Sequence, residues 1–104
     1  MELKVVWTDG ATAQLESVFD FYKTTANLTV ARKITKGLVR KTALLARHPR
    51  KGQREELLVA RKNEYRYLLE GHYKIVYWIE EPTIFVAAVF DTRQNPDKLK
   101  EIKS

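Results

Sequence analysis

Three cationic side chains lie in, or directly beside, segments that the sequence predicts to be strands of a sheet. Arg66 and Lys74 belong to two successive strand segments, and Arg93 follows a third. Guanidinium and ammonium groups in such places can neutralise an anionic ligand, or they can form ion pairs within the protein. The carboxylates close to them in sequence are Glu64, Glu70 and Asp91. The residues alone leave both alternatives open.

The strands that carry these cations are defined by their alternation. Residues 65–69 and 73–79 are rich in aromatic and β-branched side chains that alternate with a second set, which includes Arg66 and Lys74, and residues 84–90 form a continuous apolar run. Short breaks at Gly71 and Pro82 separate the three segments. Alternation of this kind, interrupted by tight turns, predicts an antiparallel meander.

A strand and two helices are predicted before the meander. Residues 3–7 alternate as a short strand, and Thr8 or Asp9 is suited to cap the helix that follows. Apolar residues at i, i+3, i+4 and i+7 give that helix one apolar face: Leu15, Val18, Phe19 and Tyr22. A second helix is predicted over residues 29–47, with an apolar side formed by Ile34, Leu38 and Leu45.

Two further elements complete the predicted order. Residues 57–59 are predicted to be a short strand that enters the sheet, and Asn95 and Pro96 have the marks of a helix start. The sequence therefore predicts one α+β domain over residues 1–104. Its two layers are an antiparallel sheet of about four strands and two N-terminal helices packed on one face, with a short C-terminal helix.

Composition excludes several classes of protein. Of the 104 residues, 44% are hydrophobic and 31% are charged, which is typical of a globular chain rather than a disordered one. The chain has no cysteine, and His48 and His72 show no metal-ligand spacing, so we expect neither a metal nor a cofactor. No apolar run approaches the ~20 residues of a membrane helix. The N-terminus leads straight into a strand, so we expect a cytoplasmic protein without a signal peptide or a membrane partner.

Positive charge is concentrated in one third of the chain. Residues 32–66 contain twelve Lys or Arg and three Glu, a net of +9, whereas the rest of the chain has a net of −3. Such asymmetry predicts a surface for an anionic partner, either nucleic acid or an acidic protein; the alternative is a solvated helix face. The candidate residues are Lys33, Lys36, Arg40, Arg47, Arg50, Lys51 and Arg54.

The order of these elements resembles the RelE/ParE superfamily of toxins from type II toxin–antitoxin modules, over nearly the whole chain. The segments that carry the resemblance are VFDFY, LLARHPRKGQ, YRYLLEGHYKIVYWI and IFVAAVFDTRQNP. Membership would imply a growth-inhibiting toxin that a cognate antitoxin neutralises. The RelE branch cleaves messenger RNA in the ribosomal decoding site, and the ParE branch poisons DNA gyrase without cleaving anything itself.

The resemblance also implies roles for the three cations. In a RelE-like enzyme Arg66, Lys74 and Arg93 would be catalytic, and Glu55 could supply a carboxylate base. Leu68 stands where a second strand lysine is expected, however, and no Tyr or His follows Arg93. The set of catalytic residues that a RelE-like enzyme would have is therefore incomplete in this chain.

The segment VFDTRQNP, in which the last strand ends on a short polar-basic turn, resembles the ParE-like branch, as does the Pro-Arg-Lys-Gly turn. A ParE-like inhibitor of DNA gyrase is therefore the favoured prediction. The alternatives are a ribosome-dependent messenger RNA endonuclease and a nontoxic, basic nucleic-acid-binding module. The sequence does not predict the oligomeric state.

Overall fold

The computed structural model describes residues 2–102. The strands and helices are β1 (Lys4–Trp7), α1 (Asp9–Thr25), α2 (Leu28–Ala43), β2 (Gln53–Arg54), β3 (Tyr65–Glu70), β4 (Tyr73–Glu80) and β5 (Thr83–Asp91). Short 3-10 turns lie at Leu44–Ala46, Glu56–Leu58 and Pro96–Glu101. Within the described residues, no helix is both long enough and apolar enough to cross a bilayer.

The described strands form one sheet of five, in the order β1-β5-β4-β3-β2. Strands β3 to β5 pair antiparallel as the meander predicts. Strand β2 also pairs antiparallel with β3, but β1 pairs parallel with β5. The predicted α+β fold, with its two N-terminal helices, is thus confirmed, while the sheet is mixed and has one strand more than expected. Alternation identifies a strand but not its neighbour, so the sequence did not predict the parallel edge.

The structure corrects two predicted boundaries. Residues 57–59 are not a strand: the Glu55 carboxylate accepts the Leu57 N–H at 3.2 Å and starts a 3-10 turn instead. The second strand of the sheet lies just before this turn, at Gln53–Arg54. Helix α2 ends at Ala43 rather than residue 47, because the chain tightens into a 3-10 turn ahead of Pro49.

Capping residues fix where the helices begin. The Thr8 side chain accepts the Ala11 N–H at 3.1 Å, and its hydroxyl donates to Val86 O at 3.0 Å, which ties the start of α1 to β5. Asn27 caps α2 through the Val30 N–H. The predicted C-terminal start is also confirmed, since Asn95 caps the 3-10 turn that begins at Pro96.

Both faces of the sheet are covered. Helices α1 and α2 pack on one face, which we call the helix face, and its fully buried residues include Leu38, Leu45, Ile75, Tyr77 and Ile84. A second apolar cluster lies on the opposite face, which we call the turn face: Leu58, Tyr65, Val76, Trp78 and Leu99. The 3-10 turns at residues 56–58 and 96–101 cover it. The Arg61 guanidinium donates to the carbonyls of Lys100 and Ile102, which anchors the C-terminal turn.

Two leucines test how much the helix face contributes to stability. Leu45 is 0% exposed and Leu69 is 52% exposed, so the same truncation removes buried area in one case only. We expect Leu45→Ala to lower the free energy of unfolding by about 2–5 kcal/mol, since it leaves a cavity. The control, Leu69→Ala, should change it by less than about 0.5 kcal/mol. Urea denaturation measures both, and equal losses would contradict the assignment of Leu45 to the core.

Candidate functional site

The register of the β3–β4 hairpin places Arg66 and Lys74 on opposite faces of the sheet. Arg66 lies opposite Tyr77, and Lys74 lies opposite Leu69. Because successive side chains of a strand alternate between faces, Arg66 points to the helix face with Tyr77, and Lys74 points to the turn face. The sequence contained the information for this separation, because a two-residue turn at Gly71 fixes the register of the hairpin.

Arg66 is held by groups of its own protein. Its Nη1 donates to Gly52 O at 2.8 Å, and its Nη2 lies 3.1 Å from a Glu64 carboxylate oxygen. Only 19% of the side chain is exposed. Two of its nitrogens therefore bond to a loop and to a neighbouring carboxylate, which is the ion-pair alternative that the sequence had left open.

Lys74 forms an ion pair on the turn face. Its Nζ lies 2.7 Å from Glu55 Oε2 and 4.3 Å from the centre of the Tyr67 ring. The Glu55 side chain is only 3% exposed, and its other oxygen accepts the Leu57 N–H. Both carboxylate oxygens of Glu55 are thus occupied. Leu68, at the position where a lysine was expected, is buried in the helix-face cluster.

Arg93 lies beyond the end of β5 and is paired with Asp91. Its Nε and Nη2 donate to the two carboxylate oxygens at 3.0 and 2.7 Å. Hydrogen bonding from this guanidinium holds the pKa of the Asp91 carboxyl below its usual value. The two residues line a cleft of about 350 Å³ together with Phe21 and Tyr73. The structure therefore does not bring Arg66, Lys74 and Arg93 together, and their catalytic role stays a prediction.

A chain of polar side chains that the sequence did not predict lies beside Arg93. The Tyr73 and Tyr22 hydroxyls are 3.5 Å apart, and the Tyr22 hydroxyl is 3.3 Å from His72 Nε2. Burial, followed by the hydrogen bond to Tyr22, raises the pKa of Tyr73, so this phenol stays protonated. Tyr22 is 50 residues from His72 in sequence, and only the packing of α1 against the sheet brings them together.

The seven basic residues predicted to meet an anionic partner are all exposed. We call them the basic ridge: Lys33, Lys36 and Arg40 on α2, followed by Arg47, Arg50, Lys51 and Arg54. Helix α2 contains no acidic residue. Within residues 2–102, four of the seven make no ion pair: Lys33, Lys36, Arg40 and Lys51. The other three lie 3.5–3.9 Å from exposed carboxylates of Glu2, Glu81 and Glu64.

The loop that carries the second half of the ridge is hydrogen-bonded to the buried side chain of Tyr77. We call residues 47–54 the basic turn. The Tyr77 hydroxyl accepts the Gly52 N–H at 2.9 Å and donates to Pro49 O at 2.8 Å, and Arg66 donates to Gly52 O. Burial raises the pKa of Tyr77, so its hydroxyl keeps the proton that it donates to Pro49 O. A Cβ at Gly52 would lie 2.6 Å from the Tyr77 hydroxyl, so the close contact between the loop and Tyr77 requires glycine at this position.

A shallow groove is lined by residues of both helices. We call it the helix groove, and its apolar floor includes Leu15, Val39 and Ala43. Lys36 and Arg40 of the basic ridge lie at its border. Val39 is 44% exposed although it is apolar. The groove thus combines uncovered apolar area with two cations.

Tyr77→Phe tests whether the buried hydroxyl holds the basic turn. The change leaves the Gly52 N–H without its acceptor and Pro49 O without its donor, which should cost about 1–3 kcal/mol of unfolding free energy. The matched control is Tyr67→Phe, since within residues 2–102 the Tyr67 hydroxyl bonds to Gln53 alone, at an exposed position. We expect that control to change stability by less than about 0.5 kcal/mol. Urea denaturation compares them, and equal effects would refute the role of Tyr77.

Comparison with known proteins identifies the family. The family model described as ParE toxin of type II toxin-antitoxin system, parDE, matches residues 5–96. No curated protein matches. A solved structure titled "Chromosomal ParDE TA system from P. aeruginosa" is similar with a TM-score of 0.73 and 18% identity, over 86% of this chain and 96% of that chain. At this identity the likeness shows the fold alone. Because the family model covers most of its length, the chain belongs to the ParE toxin family of type II toxin–antitoxin systems.

Proposed function

We propose that this ParE-family toxin arrests growth in the bacterial cytoplasm by inhibiting DNA gyrase, without a chemical step of its own. The observation that carries the proposal is the dispersal of the three candidate catalytic cations. Arg66 and Lys74 point to opposite faces of the sheet, and Arg93 is paired with Asp91 beyond its end. Inhibition by binding requires no converging catalytic groups, so this arrangement is compatible with it.

Cleavage of RNA makes demands that these residues meet poorly. A base must take the proton of the 2′-hydroxyl, a cation must neutralise the phosphate, and an acid must protonate the leaving oxygen, all around one phosphate. Glu55 already bonds to Lys74 and to the Leu57 N–H, so it is poorly placed to take a proton. The geometry therefore favours the gyrase inhibitor over the messenger RNA endonuclease.

Family membership also supports a cognate antitoxin as partner, and we propose that the helix groove receives part of it. Val39 and Leu15 offer apolar area, while Lys36 and Arg40 offer positive charge at the border. An amphipathic, acidic segment fits this combination, since its apolar side can cover Val39 and its carboxylates can reach the two cations. A segment that is disordered alone can fold over such a surface.

Two assays with the purified protein separate the target classes. We expect inhibition of plasmid supercoiling by DNA gyrase, and no cleavage of messenger RNA in toeprinting on programmed ribosomes. Arg93→Ala should leave the ribosomal messenger intact, as the wild type does. Cleavage at the decoding site that falls by about 100-fold in Arg93→Ala would instead support the endonuclease, because loss of one transition-state donor commonly costs ~3 kcal/mol. Intact messenger together with unaffected gyrase would reject both targets.

The helix groove is tested with two matched valine substitutions. Val39 lies in the groove at 44% exposure, and Val59 lies outside its lining at 61% exposure. We expect Val39→Glu to weaken binding of the protein encoded by the neighbouring antitoxin gene by at least about tenfold, because a buried unpaired charge is costly at an interface. Val59→Glu should bind as the wild type does. Titration calorimetry gives both affinities, and equal affinities would place the antitoxin elsewhere.

A further inference from the structure

Within residues 2–102, four of the seven cations of the basic ridge have no carboxylate partner. Helix α2 has five cations and no acidic residue. The three ion pairs of the ridge are loose, at 3.5–3.9 Å, and join side chains that are at least half exposed. Exposed pairs of this kind contribute little to stability, so they can be exchanged for other anions at small cost. The ridge therefore has the electrostatic character of a binding surface for a polyanion.

Its geometry is regular on the helix and fixed in the turn. Lys33, Lys36 and Arg40 follow one another at single-turn spacing on one side of α2, over about 10 Å at 1.5 Å per residue. The basic turn presents Arg50 and Lys51 from a backbone that buried Tyr77 bonds at two points. A loop held in this way loses little conformational entropy when it binds. Its cations are thus positioned before any partner arrives.

We propose that the basic ridge binds the phosphate backbone of duplex DNA. The phosphates of a duplex follow one another closely along a regular line, and binding them requires cations at intervals rather than apolar anchors. An acidic protein surface is the competing partner. Interface hot spots are enriched in Trp, Tyr and Arg, and the surface of the ridge supplies arginines but no aromatic anchor, since residues 28–54 contain no Phe, Tyr or Trp. The observations therefore favour DNA.

The inference rests on the proposed function in one respect: the duplex would be the DNA that gyrase holds. A toxin that contacts both the enzyme and its DNA can recognise gyrase while it is engaged on DNA, in preference to the free enzyme. The two contacts would then add to the affinity for the enzyme–DNA complex. Binding of the duplex itself can be measured without gyrase.

The test is fluorescence anisotropy of a labelled 20-base-pair duplex, titrated with the purified protein at several salt concentrations. The helix variant combines Lys33→Gln, Lys36→Gln and Arg40→Gln. The turn variant combines Arg50→Gln and Lys51→Gln. The control removes three exposed cations outside the ridge, by Lys4→Gln, Lys23→Gln and Lys98→Gln, and so lowers the net charge as far as the helix variant does. Melting temperatures check that each variant is folded.

We expect the wild-type affinity to fall steeply with salt, since each phosphate contact contributes about −0.9 to the slope of log K against log salt. The helix variant should lose about 2.7 of that slope and the turn variant about 1.8, while the control keeps nearly all of it. Equal losses in the control and the helix variant would show that net charge alone attracts DNA, and would overturn the proposal. Absence of wild-type binding at low salt would overturn it as well.

Gyrase inhibition distinguishes this inference from the proposed function. If the wild type inhibits supercoiling but binds no duplex, and the helix variant loses inhibition, the ridge meets an acidic protein surface and the DNA proposal falls. If the wild type leaves gyrase unaffected but its duplex binding depends on the ridge, the DNA proposal stands and the gyrase proposal falls.

Discussion

The turn between β3 and β4 decides which face of the sheet each cationic side chain occupies. Gly71 takes a φ of 61°, which its lack of a side chain permits, and the turn pairs Glu70 directly with Tyr73. With a side-chain period of two, that single pairing sends Arg66 towards the helices and Lys74 away from them. A slip of one residue in this pairing would place Arg66 and Lys74 on the same face. The two cations are therefore separated by this turn, and they cannot converge on one catalytic centre.

Two of the separated cations then serve the fold. Arg66 and Tyr77 both bond to Gly52, so the buried part of the sheet holds the basic turn in place. Lys74 and Glu55 form an ion pair on the turn face, where Glu55 also starts the 3-10 turn. Breaking such a largely buried pair on one side leaves an uncompensated charge, which is strongly unfavourable. The same chemistry that would suit a phosphate site is used here to position loops.

Local patterns predicted most of the fold and less of the site. Alternation in β3 and β4, and the capping residues Thr8 and Asn95, are signals that neighbours in sequence create, and the structure follows them. The parallel pairing of β1 with β5 and the contact of Tyr22 with His72 join residues about 50 or more positions apart. No local periodicity encodes such contacts. The placement of Arg66 and Lys74 on opposite faces was predictable, because the two-residue turn at Gly71 already implied the hairpin register.

The helix groove and the basic ridge share Lys36 and Arg40, and this overlap has a mechanistic consequence. An acidic antitoxin segment in the groove would draw both cations into ion pairs, and phosphates of a duplex could then no longer reach them. Two polyanions cannot be neutralised by the same two charges at once. If both proposals hold, binding of the antitoxin and of DNA would be mutually antagonistic by linkage, each lowering the affinity for the other by the same factor. Neutralisation of the toxin would then need no change in its fold, because competition for one strip of charge on α2 is sufficient.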